Sequence, residues 1–249
     1  MKSNLFLFIE TSMIRVGTIT YDRRGNKTYP TYPGFTLIEV MTASSKYGEI
    51  GPYVLKDDEG RIMENIWQSM KVYPYVPTTR STFSRWDNTV IWSHPHEIHI
   101  DEHGELTPEY WAWRDKLSRN PYPVRYPVGR QHRHKCVYAE WEGEKLDYVQ
   151  SRKRIYFPLY TTLVEKEEIY AELKERLDGG ENLLIAEVDG PKEESMPYYK
   201  ENYGVDDEFI ENRTILVNDE NMDLMLNDTR HAFGHGYCLA MSLLQMSID

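Results

Sequence analysis

Short apolar segments separated by turn residues begin the chain and predict β-strands. Three of them, rich in β-branched and aromatic residues, cover residues 5–9, 14–20 and 35–40. The turns between them contain Gly25-Asn26 and Pro33-Gly34. β-Branched and aromatic side chains favour strands, whereas Gly, Asn and Pro favour the turns that join them. Residues 1–43 are therefore predicted to contribute strands to a sheet.

An apolar repeat of three to four residues then predicts a helix over Arg61–Tyr73. Ile62, Ile66 and Met70 share one face of that helix, and Pro74 ends it.

The rest of the chain mixes both patterns without a regular βαβ order. Predicted strands cover residues 90–93, 97–100, 183–188 and 214–217, and predicted helices cover 108–117, 146–164, 167–177, 220–226 and 234–246. Thr107-Pro108 is a typical helix start, the second helix is expected to be interrupted near Pro158, and three prolines predict a loop over 120–129. This mixture predicts one α+β domain over residues 1–249.

Composition and charge exclude several classes of protein. The 29 Lys and Arg against 40 Asp and Glu give a net charge of −11, which argues against non-specific coating of nucleic acid. Two cysteines give neither a disulfide framework nor a Cys-rich zinc site. The apolar run at 5–9 is too short for a signal peptide or a membrane span, so a cytoplasmic protein with no membrane partner is expected. Nineteen tyrosines suit a wet pocket or interface.

The predicted helix at 61–73 carries the most informative polar residues. Glu64, Gln68 and Lys71 fall at i, i+4 and i+7, and therefore share one stripe. With Asn65 and Trp67 beside them, they could hold the hydroxyls of a sugar and a phosphate. The alternative is the solvated face of an amphipathic helix. Residues 44–53, which include Tyr47 and Gly48, are expected to form the rim of a pocket above this stripe.

Two further segments are candidates for chemistry. Gly234-His235-Gly236 begins an apolar helix, where free backbone N–H groups could bind a pyrophosphate, although a simple flexible helix start is the alternative. Glu187 and Asp189 follow an apolar strand and place carboxylates at the rim of a sheet, unless this is an ordinary solvated strand end.

A basic segment contrasts with the acidic total. Its candidate nucleic-acid contacts are Arg125, Arg130, Arg133, Lys135 and Arg152, with tyrosines interleaved. Paired surface charge is the alternative. The histidines at 94, 96 and 99 lack the spacing of a helical zinc motif, so no metal and no cofactor is expected.

The helix and the turns before it resemble a known family signature. The residues that carry the likeness are Tyr47-Gly48, Glu59-Gly60 and Glu64-Asn65-x-Trp67-Gln68-x-x-Lys71. They are similar to the pattern of the NADAR (YbiA-like) superfamily, in which a Tyr-Gly pair and an Asp-Gly turn precede a helix reading Ser-Glu-His-x-Phe-Gln-x-x-Lys. Glu, Gln and Lys match, whereas Asn65 replaces the His and Trp67 replaces the Phe.

Later segments are similar as well, namely Asp147-x-Val149, Leu184-x-x-Glu187 and Gly234–Leu244. The Asp-x-x-Trp-Gly motif of the family has no counterpart, and Asp189 is its nearest substitute. Residues 80–140 resemble an insertion into a NADAR-like domain. The tyrosine-rich chain is most similar to a bacteriophage-encoded branch of the superfamily.

The resemblance implies hydrolysis of the N-glycosidic bond between ADP-ribose and a modified nucleobase in DNA, which in a phage would reverse a host defence in the host cytoplasm. It implies that Glu64 acts on the ribose, with Asn65 and Gln68 orienting it, and that Asp189 activates water. Lys71 and the 234–236 turn would then hold the pyrophosphate, while Trp67 or Tyr47 would stack a base.

Other functions remain open at this point. They are a non-catalytic module that binds ADP-ribose or a nucleotide, a glycosidase for a small nucleotide metabolite, a metal-dependent hydrolase built on His94, His96 and His99, and an acidic interaction protein.

Overall fold

A mixed sheet forms the centre of the α+β fold in the computed structural model, which describes residues 12–80 and 92–248. The strands are β1 Ile14–Thr18, β2 Thr20–Tyr21, β3 Lys27–Thr28, β4 Phe35–Glu39, β5 Lys71–Val72, β6 Tyr75–Val76, β7 Glu97–Ile98, β8 Tyr138–Trp141, β9 Glu144–Leu146, β10 Asn182–Glu187 and β11 Thr214–Leu216. The helices are α1 Met63–Ser69, α2 Pro108–Ser118, α3 Tyr148–Ser151, α4 Phe157–Val164, α5 Glu168–Asp178, α6 Met196–Tyr203, α7 Asp219–Asn227 and α8 His235–Leu243.

The central sheet has the strand order β11-β1-β10-β4. Strand β10 pairs in parallel with β1 and with β4, so Ile185 lies between Val16 and Ile38, while β11 is antiparallel to β1. Every residue of β1 is buried, because helices such as α8 pack against the sheet. Burial on both faces explains the uninterrupted apolar run Leu183–Ala186 in β10, whereas the edge strand β4 exposes Thr36 and Leu37.

Most of the predicted elements are confirmed with shifted ends. The helix predicted over 61–73 covers only Met63–Ser69, because Lys71–Val72 pairs with β8. The interruption expected near Pro158 lies over Arg152–Tyr156, where the helix widens to π-helical hydrogen bonding. The strand predicted at 5–9 and residues 90 and 91 of the strand predicted at 90–93 lie outside the described residues, and residues 92 and 93 are not part of a strand.

The β8–β9 hairpin and helix α6 are not predicted by the apolar pattern. In the hairpin, Glu142 (φ 50°) and Gly143 (φ 85°) form a two-residue turn with positive φ at both positions. This conformation is typical of tight hairpins, and Gly143 was the signal for it.

A second apolar cluster lies beside the sheet core and is built around Trp113 of α2. The imidazoles of His94 and His99 pack against that indole, with ring centroids 6.4 Å and 5.0 Å away. Burial lowers the pKa of His99 to about 4 from an ordinary value of 6.5. The Nδ1 atom of His99 has no hydrogen-bond partner among the described residues, so protonation would leave a buried N–H donor without an acceptor, although Glu97 lies 3.2 Å from Nε2.

This cluster is expected to make the protein sensitive to acid. Unfolded His99 binds a proton below pH 6.5 and folded His99 only below about 4, so the free energy of unfolding falls as the pH falls through that window. The expected loss from His99 is about 2 kcal/mol between pH 7 and pH 5. Urea unfolding at both values should show this slope reduced in His99→Leu and retained in the control His103→Gln, whose side chain is 76% exposed. An unchanged slope in His99→Leu would contradict the prediction.

Candidate functional site

Helix α1 is buried along its whole length, including its polar stripe. Two backbone bonds fix its start, since the N–H of Met63 donates to the carbonyl of Leu55 and that of Glu64 to the carbonyl of Pro52. Glu64 is 6% exposed and Gln68 is 7% exposed. The solvated-face alternative for this stripe is therefore wrong.

The carboxylate of Glu64 is held by its neighbour one turn along the helix. Gln68 Nε2 donates to Glu64 Oε1 over 2.8 Å. Burial raises the pKa of Glu64 above its ordinary value of 4.5, although the Gln68 bond and the positive charges of Lys71 and Arg125 oppose the shift. A buried carboxylate with an oriented oxygen and a raised pKa is typical of catalytic sites.

Lys71 lies next to Glu64 and against an aromatic wall. Its ammonium lies 4.8 Å from the ring centroid of Trp67, and that indole packs against Tyr156 with centroids 5.2 Å apart. Burial lowers the pKa of Lys71, and the Glu64 charge partly offsets this. Lys71 lies in β5, beyond the end of α1, so only Glu64 and Gln68 share the helical face that was predicted for all three. Glu64 and Lys71 still interact electrostatically, with two aromatic rings beside them.

Two residues from distant parts of the chain join this unit. Arg125, from the loop over 120–129, interacts electrostatically with both Glu64 and Asp189. Arg125 was predicted as a nucleic-acid contact; it is partly exposed, and its electrostatic interaction with two carboxylates also connects it with the candidate site. Asp189 is exposed as a residue, yet loss of hydration at its carboxyl group and the charge of Glu187 raise its pKa.

Asn65 does not orient Glu64, contrary to the prediction. Its Nδ2 donates to the carbonyls of Asn120 and Tyr122, and its Oδ1 accepts from the N–H of Val124. The amide is thereby engaged at both ends by the loop that carries Arg125. Asn65 positions that loop.

The 234–236 turn binds a carboxylate of the protein rather than a free phosphate group, so its prediction as a pyrophosphate site is wrong. The N–H of Gly236 donates to Glu187 Oε1 over 3.0 Å. A Cβ atom at Gly234 would lie 2.5 Å from the Glu187 carboxylate oxygens, so only glycine fits there. Glu187 ends β10 and is 1% exposed, which places its charge where an external anion would have to sit.

His235 completes this arrangement at the carboxyl ends of the parallel strands. Its Nε2 lies 2.7 Å from the carbonyl oxygen of Val40, and its Nδ1 lies 3.1 Å from Glu187 Oε2. Burial alone would lower the pKa of His235, but the Glu187 carboxylate and the Val40 carbonyl outweigh it and raise the pKa. The resulting His235–Glu187 pair stabilises the rim of the sheet, where Asp189 lies.

Tyr47 and Gly48 have structural partners. The Tyr47 hydroxyl accepts from Arg176 Nη1 over 2.9 Å, and a Cβ at Gly48 would lie 2.7 Å from the carbonyl oxygen of Thr42. The side chain of Tyr47 is part of the main core.

The basic segment divides into an exposed part and a buried part. Arg130, Arg133 and Lys135 lie exposed on a 3₁₀ turn over 130–135 and form no ion pair within the described part of the chain. Arg152 is 2% exposed and donates to backbone carbonyls, so its prediction as a nucleic-acid contact is wrong. The exposed turn leads into β8, the partner of the strand that contains Lys71.

The histidine-rich segment serves the cluster around Trp113. Glu97 lies 3.4 Å from His94 Nε2 and 3.2 Å from His99 Nε2. Over residues 12–80 and 92–248, no group of three or more His, Cys, Asp or Glu side chains is arranged to hold a metal ion.

Two cavities lie near these elements. One of about 560 Å³ is lined by Ile66 and Met70, on the side of α1 away from Glu64. A smaller one of about 180 Å³ is lined by Asp189, Lys192 and His231. No helix within the described residues is long and apolar enough to cross a membrane.

None of the protein-family models, curated proteins or solved structures compared with this chain matches it.

Proposed function

We propose that the protein hydrolyses the N-glycosidic bond between ADP-ribose and a modified nucleobase in DNA, without a metal ion. The observation that carries the proposal is the buried Glu64 carboxylate, bonded by Gln68 and faced by Lys71, Arg125 and Asp189. The likeness of α1 to the NADAR signature indicates the substrate class. The charges of the four ionisable residues explain why they suit that substrate.

Cleavage of an N-glycosidic bond develops positive charge on the ribose ring, which a fixed carboxylate stabilises. In the proposed mechanism Glu64 lies beside that ring, held in one orientation by Gln68. Asp189 accepts a proton from the attacking water, a role for which its raised pKa suits it. Lys71 and Arg125 bind the pyrophosphate. Because Gly234–Gly236 is engaged by Glu187, that turn has no part in this mechanism.

The exposed 3₁₀ turn is the proposed contact for the DNA backbone. Its cations concentrate positive charge on a chain of net charge −11, directly before the strand that pairs with the Lys71 strand. A modified base displaced from the duplex would then reach Glu64 while the phosphates on either side stay near the turn.

The deciding experiment measures ADP-ribose released from oligonucleotides modified on thymidine or on guanosine, alongside calorimetric titration with ADP-ribose. The proposal predicts product from at least one oligonucleotide. Binding of ADP-ribose without any product would identify a binding module. Product from a free ADP-ribosyl nucleoside alone would identify a glycosidase of small metabolites.

Neutralising the exposed turn is expected to weaken DNA binding only. The triple variant Arg130→Gln, Arg133→Gln and Lys135→Gln should raise KM for a modified oligonucleotide by about 10-fold or more at low salt, with kcat unchanged. KM for a free ADP-ribosyl nucleoside should stay the same. The control replaces Arg23, Arg24 and Lys166, which are exposed elsewhere, with Gln. An equal rise in KM for both variants would show a general charge effect and contradict this assignment.

A further inference from the structure

A serine, a histidine and an aspartate form a chain of hydrogen bonds outside the Glu64 site. Ser195 Oγ lies 2.9 Å from His231 Nε2, and His231 Nδ1 lies 2.5 Å from Asp228 Oδ2. Asp228 is completely buried, whereas Ser195 and His231 are partly exposed. A nucleophile bonded to a base that is itself oriented by a carboxylate is the arrangement that activates serine for catalysis.

The partners of Asp228 fix the direction of this chain. Burial would raise the pKa of Asp228, but bonds from the Arg230 N–H, His231, Tyr199 and Tyr198 outweigh it and lower the pKa. The carboxylate is therefore ionised and can only accept, which places a proton on His231 Nδ1. His231 Nε2 is left to accept the proton of the Ser195 hydroxyl.

Ser195 occupies a position where serine normally has another role. It is the N-cap residue of α6, yet its side chain makes no capping hydrogen bond. An N-cap serine usually stabilises its helix through that bond. The Ser195 hydroxyl instead points to His231, and the positive end of the α6 dipole lies beside it.

The turn that carries the histidine is held from two sides. Tyr198 and Tyr199 donate from their hydroxyl groups to Asp228 over 3.0 Å and 2.9 Å. The Arg152 guanidinium donates to the carbonyls of Asp228 and His231 from the opposite side. Such fixed geometry is what a catalytic base requires.

A small cavity adjoins His231. Its volume is about 180 Å³, and its lining includes two cations, Lys192 and Arg230, against one carboxylate, Asp189. Neither cation forms an ion pair within the described residues. The cavity is smaller than the sites of about 300 Å³ or more that hold drug-sized ligands. It therefore suits a small substrate with a negative charge.

We propose that Ser195, His231 and Asp228 form a second catalytic site, which hydrolyses small esters that carry a negative charge. Ser195 Oγ attacks the ester carbonyl carbon while its proton moves to His231 Nε2. The C–O bond to the alcohol then breaks, and the same proton leaves with the alcohol. Water, deprotonated by His231, next attacks the acyl-serine and releases the acid together with free Ser195, so that ester and water give acid and alcohol.

Labelling with a fluorophosphonate probe tests the nucleophile. The expected result is a mass increase on the peptide that contains Ser195, absent from Ser195→Ala and retained in the control Ser93→Ala. Ser93 is exposed, and its hydroxyl donates to the carbonyl of Thr79. Labelling of wild type equal to that of Ser195→Ala would overturn the proposal.

Ester hydrolysis tests the base and the charge preference. Wild type should hydrolyse the para-nitrophenyl ester of succinate faster than that of acetate, and Lys192→Gln should remove this preference. His231→Gln should lower the rate by about 100-fold or more. Ser195→Ala, checked for folding by urea unfolding, should lose ester hydrolysis and retain ADP-ribose release, which separates the two sites. A rate in Ser195→Ala within twofold of wild type would refute the assignment.

Discussion

Replacing Glu64 with Gln is expected to lower the rate constant of ADP-ribose release by about 100- to 1,000-fold, the usual cost of removing one preorganised electrostatic group. Glutamine has nearly the same shape and keeps a partner for Gln68, but it carries no charge to stabilise the developing cation. KM should change much less, because the proposed role of the carboxylate lies in the transition state. Single-turnover release from a modified oligonucleotide measures this effect.

The stability of Glu64→Gln serves as the folding control, and the pKa of Glu64 predicts the direction in which the free energy of unfolding changes. Because the pKa of Glu64 is raised in the folded protein, its ionised form lowers the free energy of unfolding as the pH rises above 4.5. At pH 7 Glu64→Gln should therefore unfold in urea no earlier than wild type. Glu49→Gln, an exposed carboxylate just before α1, is the matched control and should keep full activity. Full activity in Glu64→Gln would refute the proposed mechanism.

The same raised pKa predicts the pH profile. Glu64 must be ionised to stabilise positive charge, so kcat/KM for release should fall on the acid side with an apparent pKa above 4.5. Activity should be measured only above the pH range in which protonation of His99 lowers the stability of the protein. A loss of activity within that range would reflect unfolding rather than protonation of Glu64.

The sequence pattern predicted strands β1 and β10 well because they are buried on both faces. Apolar or β-branched side chains fill most positions of Ile14–Thr18 and Asn182–Glu187, as burial on both faces requires. The apolar pattern did not predict helix α6, because its sequence has no clear apolar stripe and Tyr199 is its one buried residue. Its place is set by tertiary contacts of Tyr199 with Phe209 and Asp228, which no local pattern reveals.

Local spacing predicted that Glu64 and Gln68 share a face, since helical periodicity fixes this within α1. It did not place Lys71, which lies in β5 after the helix has ended. It did not reveal that the stripe is buried, because burial depends on the loops packed over α1. It also misassigned Arg152. This residue looks like a surface cation in the sequence, and only the fold shows that it is buried and binds a turn.

Replacing Arg152 with Met is expected to lower the free energy of unfolding by about 3 kcal/mol or more. The guanidinium, 2% exposed, donates to the carbonyls of Leu226, Asp228 and His231, and its carbon centre lies 4.1 Å from the ring centroid of Tyr148. Methionine fills part of the volume but leaves the buried carbonyls of Leu226 and Asp228 and the partly buried carbonyl of His231 without this donor, at a cost of about 1 kcal/mol or more each. Urea unfolding at pH 7 measures the loss.

The exposed Arg133 provides the matched control, since a surface substitution usually changes stability by no more than about 0.5 kcal/mol. If Arg152→Met unfolded at the same urea concentration as wild type and instead raised KM for DNA, the side chain would be a surface contact and its buried position would be wrong.

Arg152→Lys should recover only part of the stability, because a single ammonium cannot reproduce the planar fork that reaches carbonyls on both sides of the turn. The same turn carries Asp228 and His231, so its order and the reactivity of Ser195 are coupled. Fluorophosphonate labelling of Ser195 should therefore follow the stability series, highest in wild type, lower in Arg152→Lys and lowest in Arg152→Met. Labelling that stayed constant across the series would show that Arg152 supports the fold without positioning the histidine.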